Sequence, residues 1–315
     1  MKPFQSALVT GATGFIGSVL VKRLLAEGVQ VTCLIRARTR APGALAALAG
    51  AQMIEISSFQ VAELKAKLAG SSAETVFNLA SHGVRQQARD TGQLLEGNVA
   101  LLCNLLEATS EWPLRRFLHA GSCSEYGVPA QKDTPISETQ ALRPTSMYGA
   151  AKAASFEFGN ALALRLETPF VALRLFGVFG SHEAPQRLAP YLIQRLKHDQ
   201  PVDLTPGEQV RDFLYEDDVT DAFLAAASAE ALQLYEAYNV CSGQGTRIRD
   251  FGETVADALG KPRQLLHWGE RPYRPDEPMW LVGDNRRFSA AASWSPRFSV
   301  QEGIRRVISA ARKEE

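Results

Sequence analysis

A tyrosine and a lysine four residues apart are the first candidates for chemistry. Tyr148 and Lys152 lie in the run Tyr148-Gly149-Ala150-Ala151-Lys152, just after the turn-forming residues 143–146. Positions i and i+4 share one helix face, so the ammonium is predicted to lie near the phenol and to lower its pKa. Such a phenol can exchange a proton with a hydroxyl or ketone oxygen while a hydride moves to or from a nicotinamide.

A turn rich in serine supplies the second candidate group. Residues 121–127, called the serine turn below, read Gly-Ser-Cys-Ser-Glu-Tyr-Gly and directly follow a predicted strand. The carboxyl ends of parallel strands are where nucleotide-binding folds hold their ligands. Ser122 is the predicted partner of the same substrate oxygen as Tyr148, with Ser124 as the alternative. His82 follows the fourth predicted strand, at residues 75–80, and is a candidate for lining the substrate cleft. An ordinary turn histidine fits that position equally well.

Three glycines near the N-terminus predict a dinucleotide site. Gly11, Gly14 and Gly17 form the pattern G-x-x-G-x-x-G between a predicted strand and a predicted helix. In that context the first glycine permits a tight turn, the second the approach of a pyrophosphate, and the third the packing of helix on strand. The phosphates would lie at the positive end of the helix.

The end of the second predicted strand indicates which dinucleotide is bound. An NAD site is expected to carry an Asp or Glu there for the ribose 2′-hydroxyl. The strand instead ends in Leu-Ile-Arg-Ala-Arg-Thr-Arg at residues 34–40. A guanidinium can pair with a 2′-phosphate. Arg36 therefore favours NADP(H) over NAD(H), the alternative being a loop of solvated arginines.

The segments around these groups alternate between strand and helix. Apolar runs predict strands at 7–9, 29–35, 53–56, 75–80, 116–120, 170–174 and 237–240, and helical spacing predicts helices at 18–27, 61–68, 98–109, 148–165 and 218–229. This alternation predicts an α/β fold with a Rossmann-type, doubly wound parallel sheet. Residues 36–50 are predicted to be a loop that runs into a short helix. Nine of the sixteen prolines follow Gly180, which predicts a smaller, mixed α/β C-terminal lobe.

Composition narrows the class of protein and its partners. The 315 residues include 34 Lys and Arg against 34 Asp and Glu, without the basic excess typical of nucleic-acid or acidic-lipid partners. The four cysteines are too far apart for a metal knuckle or a CxxC pair. No apolar stretch approaches the ~20 residues of a membrane span, and no signal-like segment opens the chain. We therefore expect a cytoplasmic protein with no nucleic-acid or membrane partner and no metal.

Five motifs, taken in order, resemble those of the extended short-chain dehydrogenase/reductases. They are TGATGFIG, NLAS, the serine turn before YG, YGAAK and RDFLYEDDV. Over roughly residues 6–310 the chain is similar to the nucleotide-sugar epimerases, dehydratases and 4-ketoreductases of that family. The resemblance implies a catalytic triad of Ser122, Tyr148 and Lys152. It also implies cofactor contacts from Gly11, Thr13, Gly14, Phe15, Ile16, Gly17, Asn78, Leu79, Ala80, Asn98, Tyr148 and Lys152.

The resemblance further implies a nucleotide-diphosphate-sugar substrate and a homodimer. Arg211 would grip the diphosphate, helped by Arg271 or Arg274, since Arg–phosphate pairs are strong charge-assisted contacts. Surface ion pairs are the alternative for each arginine. Helices 98–109 and 148–165 would pair between subunits, although their leucines serve equally well as core. The implied dinucleotide-binding domain is 1–176, with 213–240 returning to it, and 177–212 with 241–315 form the substrate lobe.

Departures from the family pattern narrow the reaction. Sugar dehydratases carry an Asp-Glu pair where this chain has Cys123 and Ser124, so it lacks an evident acid/base pair for eliminating water. The usual Asn-x-Tyr-Gly-Pro run after the sixth strand reads Gly-Val-Phe-Gly-Ser at residues 177–181, which removes one expected substrate hydrogen bond.

The predicted use of NADPH selects among the remaining reactions. A net reductase consumes a supplied electron donor, whereas an epimerase regenerates its cofactor in place. The sequence therefore favours an NADPH-dependent 4-ketoreductase of a nucleotide-4-keto-6-deoxysugar. The alternatives are a nucleotide-sugar 4-epimerase with tightly bound NAD(P), a reductase of a non-nucleotide ketone, and a non-catalytic NADP(H) sensor. The presence of both Tyr148 and Lys152 argues against the sensor.

Overall fold

The computed structural model describes residues 4–36, 45, 48–83, 90–129, 133–274 and 277–313. The strands are β1 (Ser6–Thr10), β2 (Gln30–Arg36), β3 (Gln52–Ile56), β4 (Thr75–Asn78), β5 (Arg116–Ser122), β6 (Phe170–Leu175), β7 (Gly177–Phe179), β8 (Val202–Leu204), β9 (Val210–Tyr215), β10 (Glu236–Val240), β11 (Gly245–Arg247), β12 (Leu266–Trp268) and β13 (Trp280–Leu281). The α-helices are α1 (Phe15–Ala26), α2 (Val61–Lys67), α3 (Thr91–Leu94), α4 (Leu101–Thr109), α5 (Met147–Arg165), α6 (Leu188–Lys197), α7 (Glu216–Ser228), α8 (Ile248–Leu259), α9 (Arg286–Ala292) and α10 (Val300–Lys313).

Seven strands form one parallel sheet in the order β10-β6-β5-β4-β1-β2-β3. Central strands such as β5 and β6 are buried along their whole length, as expected where helices cover both faces of a sheet. One face packs on α1, α7 and α9 through residues such as Leu24, Phe223 and Phe288. The other packs on α2, α4 and α5. The predicted Rossmann-type, doubly wound sheet is confirmed.

The helix predicted to begin at Asn98 begins earlier. α3 starts after Asp90, whose side chain accepts a hydrogen bond from the Gln93 amide at 2.8 Å. The chain then widens into a π-helical turn (Leu95–Ala100) before α4. A β-carbon on Gly97 would lie 2.5 Å from that of His82, so the turn packs directly on the loop after β4. The predicted loop and short helix at 36–50 fall mostly outside the described residues.

The smaller lobe has its own strands and its own core. β9 pairs with β7, β11 and β13, and β8 pairs with β12. Helices α6, α8 and α10 cover these strands around an apolar core that includes Leu192, Phe251 and Ile304. Between these segments the chain returns to the large sheet through α7 and β10. The domain boundaries given above stay a prediction.

Within the described residues, no helix combines the length and apolar character needed to cross a membrane.

Candidate functional site

The turn over residues 11–17, called the glycine turn below, leaves no room for side chains at two of its glycines. Gly11 has a φ of +69°, and a β-carbon there would lie 2.7 Å from the Ala80 nitrogen. A β-carbon on Gly17 would lie 2.1 Å from the Gly11 oxygen. At Gly14, by contrast, a β-carbon would meet only that same oxygen, at 3.1 Å, and the residue is exposed. The turn therefore packs against the end of β4 on one side and is open at Gly14.

Helix α1 offers its N-terminus to this opening. Gly14 is the N-cap residue and brings no side chain to the first amides, and the first turn carries no acid. The twelve-residue helix presents unsatisfied N–H groups and the positive end of its dipole. Phe15, Ile16 and Gly17 are in this first turn. A pyrophosphate fits this cradle, which is made of backbone and admits no larger residue at Gly17.

A buried chain of polar side chains fixes the strand ends beside the glycine turn. Thr10 Oγ1 donates to Asn78 Oδ1 at 2.6 Å, so the Asn78 amide nitrogen is left to donate to His119 Nδ1 at 3.1 Å. The imidazole proton then lies on Nε2 and is donated to Ser155 Oγ at 3.2 Å. Burial and the nearby Lys152 hold the pKa of His119 well below its usual value, so the ring is neutral. His119, on β5, is thus a positioning residue for Asn78 at the end of β4.

Asn98, a predicted cofactor contact, uses its whole side-chain amide to hold the loop after β4. Its Oδ1 accepts from Ser81 Oγ at 2.8 Å and from the His82 amide at 3.4 Å. Its Nδ2 donates to the backbone oxygens of His82 at 3.0 Å and Leu94 at 2.8 Å. His82, a predicted substrate contact, has its Nε2 buried without a partner. The π-helical turn therefore positions Ser81 and His82.

Helix α5 begins tightly against the serine turn. Its N-cap Ser146 accepts a hydrogen bond from the Gly149 amide at 3.0 Å. A β-carbon on Gly149 would lie 2.3 Å from the Ser124 oxygen, so only glycine permits this contact. The close packing brings the Tyr148 phenol near the hydroxyls of Ser81 and Ser122, which act to lower its pKa. Ser81 was not among the residues singled out from sequence.

The expectation that Lys152 lowers the pKa of Tyr148 is wrong. Burial raises the pKa of the phenol to about 12, and the nearby Cys123 and Glu125 add to this, against the two serine hydroxyls. Lys152 is itself buried and donates to the Ala120 oxygen at 2.8 Å. Burial lowers its pKa to about 8, and Glu125 opposes that shift. Desolvation is the largest cause of both pKa shifts.

The serine turn is built on Ser122 and a buried acid. Ser122 Oγ accepts from the Ser124 amide at 3.2 Å, and the Ser122 amide donates to Glu125 Oε1 at 2.7 Å. The two contacts form a capping box at the short 3₁₀ turn 123–125. Arg174 on β6 donates to the other oxygen of Glu125 at 2.7 Å. Sequence analysis missed both members of this pair because 49 residues separate them.

Two of the three predicted substrate arginines meet at one carboxylate. Arg211 on β9 donates to Glu277 Oε1 at 2.5 Å, and Arg274 Nε lies 3.9 Å from Glu277 Oε2. We call Arg211 and Arg274 the arginine pair. The charge of Arg211 also lowers the pKa of the Cys123 thiol, although burial raises that pKa further, to about 12. Arg211 thus lies near enough to the serine turn for its charge to act on Cys123.

The remaining predicted residues lie at the edges of the site. Arg36 ends β2 and is exposed. Arg271 is exposed, and its backbone amide donates to the Leu204 oxygen at 3.0 Å. Leu79 and Ala80 follow β4, where the Ala80 amide donates to Thr10 Oγ1 at 3.2 Å. No group of three potential metal-ligating side chains occurs in the part of the chain that is described.

The model of the NAD dependent epimerase/dehydratase family matches residues 7–241, which is more than half of the chain. The chain belongs to this family. It is therefore an enzyme of the group of NAD(P)-dependent nucleotide-sugar epimerases, dehydratases and reductases, and the predicted membership of the extended short-chain dehydrogenase/reductases is confirmed.

Members of the family with different activities resemble the chain equally well. UDP-glucose 4-epimerase of Mycolicibacterium smegmatis is 28% identical over 96% of this chain and 96% of its own. dTDP-6-deoxy-L-talose 4-dehydrogenase (NAD(P)(+)) of Kitasatospora kifunensis is 28% identical over 96% and 94%. Among solved structures, MoeE5 in complex with UDP-glucuronic acid and NAD is 28% identical, with a TM-score of 0.84 over 98% of this chain and 100% of that one.

Proposed function

We propose that this enzyme is an NADPH-dependent 4-ketoreductase of a nucleotide-4-keto-6-deoxysugar, with Ser122, Tyr148 and Lys152 as its catalytic residues. The supporting observation is that a proton donor, Tyr148, and a phosphate-binding side chain, Arg211, both lie near the serine turn. The Tyr148 phenol, which lies near Ser122, can act as an acid for a ketone oxygen. Arg211 lies close enough to the same serine turn to influence Cys123, and it can pair with a diphosphate.

The state of the phenol suits reduction. The bound cofactor would supply a hydride to the carbonyl carbon, and the carbonyl oxygen would then need a proton. A pKa of about 12 keeps Tyr148 protonated at neutral pH and ready to give that proton. An epimerase begins by removing a proton from a hydroxyl, a step that a raised phenol pKa makes harder.

The arginine pair is the proposed site for the diphosphate. Glu277 holds Arg211 and Arg274 side by side, and such a pair can bind the two phosphates of a nucleoside diphosphate. This arrangement favours Arg274 over Arg271 as the second substrate arginine. His82 and Ser124 lie beside the catalytic groups and are proposed to contact the sugar.

The preference for NADP(H) over NAD(H) rests on Arg36. The residue is exposed at the carboxyl end of β2, next to the end of β3, where Ile56 is its partner in register. This is the position at which a nucleotide fold holds the adenosine ribose. A guanidinium there suits a 2′-phosphate.

A nucleotide-sugar 4-epimerase is the second candidate. The epimerase of Mycolicibacterium smegmatis is as similar to the chain as the 4-dehydrogenase is. The two reactions use the same catalytic groups and differ in whether the cofactor is consumed.

The deciding experiment follows NADPH absorbance in the presence of a panel of nucleotide-4-keto-6-deoxysugars. A reductase consumes NADPH in step with the loss of the ketone. Interconversion of two sugar nucleotides with no net loss of NADPH would establish the epimerase instead. Tyr148→Phe is the control: it should reduce turnover by about 10²–10⁴-fold while NADPH binding is retained. Unchanged turnover would overturn the assignment of the triad.

A homodimer is proposed from the exposed side of α5. Phe158 and Leu164 on this helix are 63% and 60% exposed, whereas Leu102 and Leu105 on α4 are buried in the core. Sedimentation should show a dimer that Phe158→Glu combined with Leu164→Glu converts to a monomer. A wild-type monomer would contradict the proposal. The cytoplasmic location stays a prediction.

A further inference from the structure

A charged pair lies wholly inside the protein beneath the serine turn. Glu125 has no exposed surface, and Arg174 is 4% exposed. Each oxygen of the Glu125 carboxylate accepts a hydrogen bond from a different partner. Oε1 accepts from the Ser122 amide at 2.7 Å, and Oε2 accepts from Arg174 Nε at 2.7 Å. Any change at Glu125 is therefore transmitted directly to the backbone of Ser122.

Arg174 is held from several directions. Its Nη1 donates to the Tyr126 hydroxyl at 3.1 Å, and that hydroxyl donates to Asn239 Oδ1 at 2.7 Å. The guanidinium carbon lies 5.0 Å from the centre of the Tyr126 ring and 5.1 Å from that of Phe156. Because Phe156 belongs to α5, the helix that carries Tyr148, the pair joins the serine turn to this helix and to the strands β6 and β10.

Stability alone does not account for such a pair. Removing two charges from water is costly, and apolar residues of similar volume usually give equal or greater stability. A buried pair in this place therefore suggests a role in the site above it. Gly121 leaves space for the Glu125 carboxylate, since a β-carbon on Gly121 would lie 2.8 Å from Glu125 Oε1.

The negative charge of Glu125 acts on two of the proposed catalytic groups. It raises the pKa of Tyr148 and opposes the lowering of the pKa of Lys152. Two further titratable groups face Tyr148 and Lys152: Cys123, whose pKa burial raises, and His119, which is neutral. Tyr126, whose pKa burial also raises, faces Arg174 and Glu125. Glu125 is thus the charged carboxylate that raises the pKa values of both Tyr148 and Lys152.

We infer that Glu125, held by Arg174, is a positioning residue that fixes the Ser122 backbone and keeps a negative charge beneath Tyr148 and Lys152. This inference rests on the proposed triad. Glu125 itself touches neither substrate nor cofactor. It acts by keeping the phenol and the ammonium in their protonated forms, which are the forms that ketone reduction requires.

The test is Glu125→Gln, which keeps an oxygen for the Ser122 amide but removes the charge. Without that charge, the phenolate and the neutral amine become easier to form, so both pKa values fall. The alkaline limb of the pH profile of kcat should move about one unit toward lower pH. KM for the sugar nucleotide should stay within about twofold. Arg174→Lys, which keeps a cation, should lower kcat without moving the limb.

A matched control separates electrostatics from stability. Asp218 is another fully buried acid that accepts two backbone amides, those of Arg297 and Phe298, but it lies on α7. Asp218→Asn should lower thermal stability and leave the limb in place. If Glu125→Gln does not fold, Glu125→Gln with Arg174→Met removes both charges and should move the limb in the same direction but by less, because the opposing charge of Arg174 is lost as well. An unmoved limb in the folded variant, or an equal shift in Asp218→Asn, would overturn the inference.

A second measurement needs no substrate. The tyrosinate absorbance of each protein minus that of its Tyr148→Phe counterpart reports the pKa of Tyr148 alone. This pKa should fall by about one unit in Glu125→Gln. If the shift is seen while the wild type fails to reduce any sugar nucleotide, the proposed reaction is wrong but the inference stands. If turnover is normal and neither pKa nor limb moves, only the inference fails.

Discussion

At the glycine turn the surface that we propose faces a ligand is backbone, whereas at the arginine pair it is side chain. Gly11, Gly14 and Gly17 present amides and the end of a helix, with atoms as close as 2.1 Å to where a β-carbon would be. Arg211 and Arg274 instead reach from separate segments of the small lobe to one acid, Glu277.

The difference shows which part of the site is able to vary. A backbone cradle accepts almost no substitution, so it suits the part of the ligand that every member of the family shares. A side-chain site can be altered one residue at a time, so it suits the part that differs. The relatives named above act on different sugar nucleotides although their sequences are equally similar to this chain.

The largest effect is expected from Gly17→Ala. The added methyl group would lie 2.1 Å from the Gly11 oxygen and would push α1 away from the turn. We expect the Kd for NADPH to rise by about 100-fold or more and the free energy of unfolding to fall by about 1–3 kcal/mol. Fluorescence titration and chemical denaturation measure the two quantities. Gly92→Ala is the control, because its methyl group would meet only the flexible Asp90 carboxylate, at 3.3 Å. Wild-type affinity in Gly17→Ala would remove the contrast between the two regions.

A smaller effect is expected from Arg211→Lys. The charge remains, but the fork that matches a phosphate is lost. Calorimetric titration should show a nucleoside diphosphate binding about tenfold more weakly, with NADPH binding unchanged. Arg263→Lys, in an exposed ion-pair cluster on the small lobe, should change neither. If a non-nucleotide ketone is the substrate, Arg211→Lys should leave its KM unaltered, and the proposed diphosphate site would be wrong.

The smallest effect is expected from Arg36→Ala. The residue is exposed, so water screens its contribution. NADPH should bind about three- to tenfold more weakly while NADH binding stays the same. Arg23→Ala, on the exposed side of α1, controls for the loss of a surface charge. Equal weakening of both cofactors would show that Arg36 does not select the 2′-phosphate.

The contrast between the two regions also explains what could be predicted from sequence. The glycine turn, the parallel strands and the start of α5 are determined by residues that are neighbours in sequence, so their pattern is visible there. The partner of Arg211 lies 66 residues away and that of Arg174 lies 49 away, and only folding brings them together. The π-helical turn depends on contact with His82, which helical spacing does not reveal.

The direction of the Tyr148 pKa shift could not be predicted from sequence for a different reason. Spacing correctly predicts that Tyr148 and Lys152 share a helix. It does not reveal that burial dominates both groups, nor that Glu125 is the acid acting on them. Desolvation depends on all the surrounding atoms, and a local motif does not contain that information.

Glu277 gives the proposed diphosphate site an internal competitor for its arginines. Its carboxylate occupies Arg211 with a 2.5 Å hydrogen bond and lies beside Arg274, so an incoming diphosphate meets arginines that already have an anion. A bound diphosphate would then replace the Glu277 carboxylate at the arginines. The affinity would be set by the free energy of the arginine–phosphate contacts minus that of the arginine–Glu277 contacts. A single inorganic phosphate gains little from such an exchange, whereas a diphosphate that engages both arginines gains more. If the proposed diphosphate site is correct, the Glu277 carboxylate should make it bind small anions more weakly than a nucleoside diphosphate.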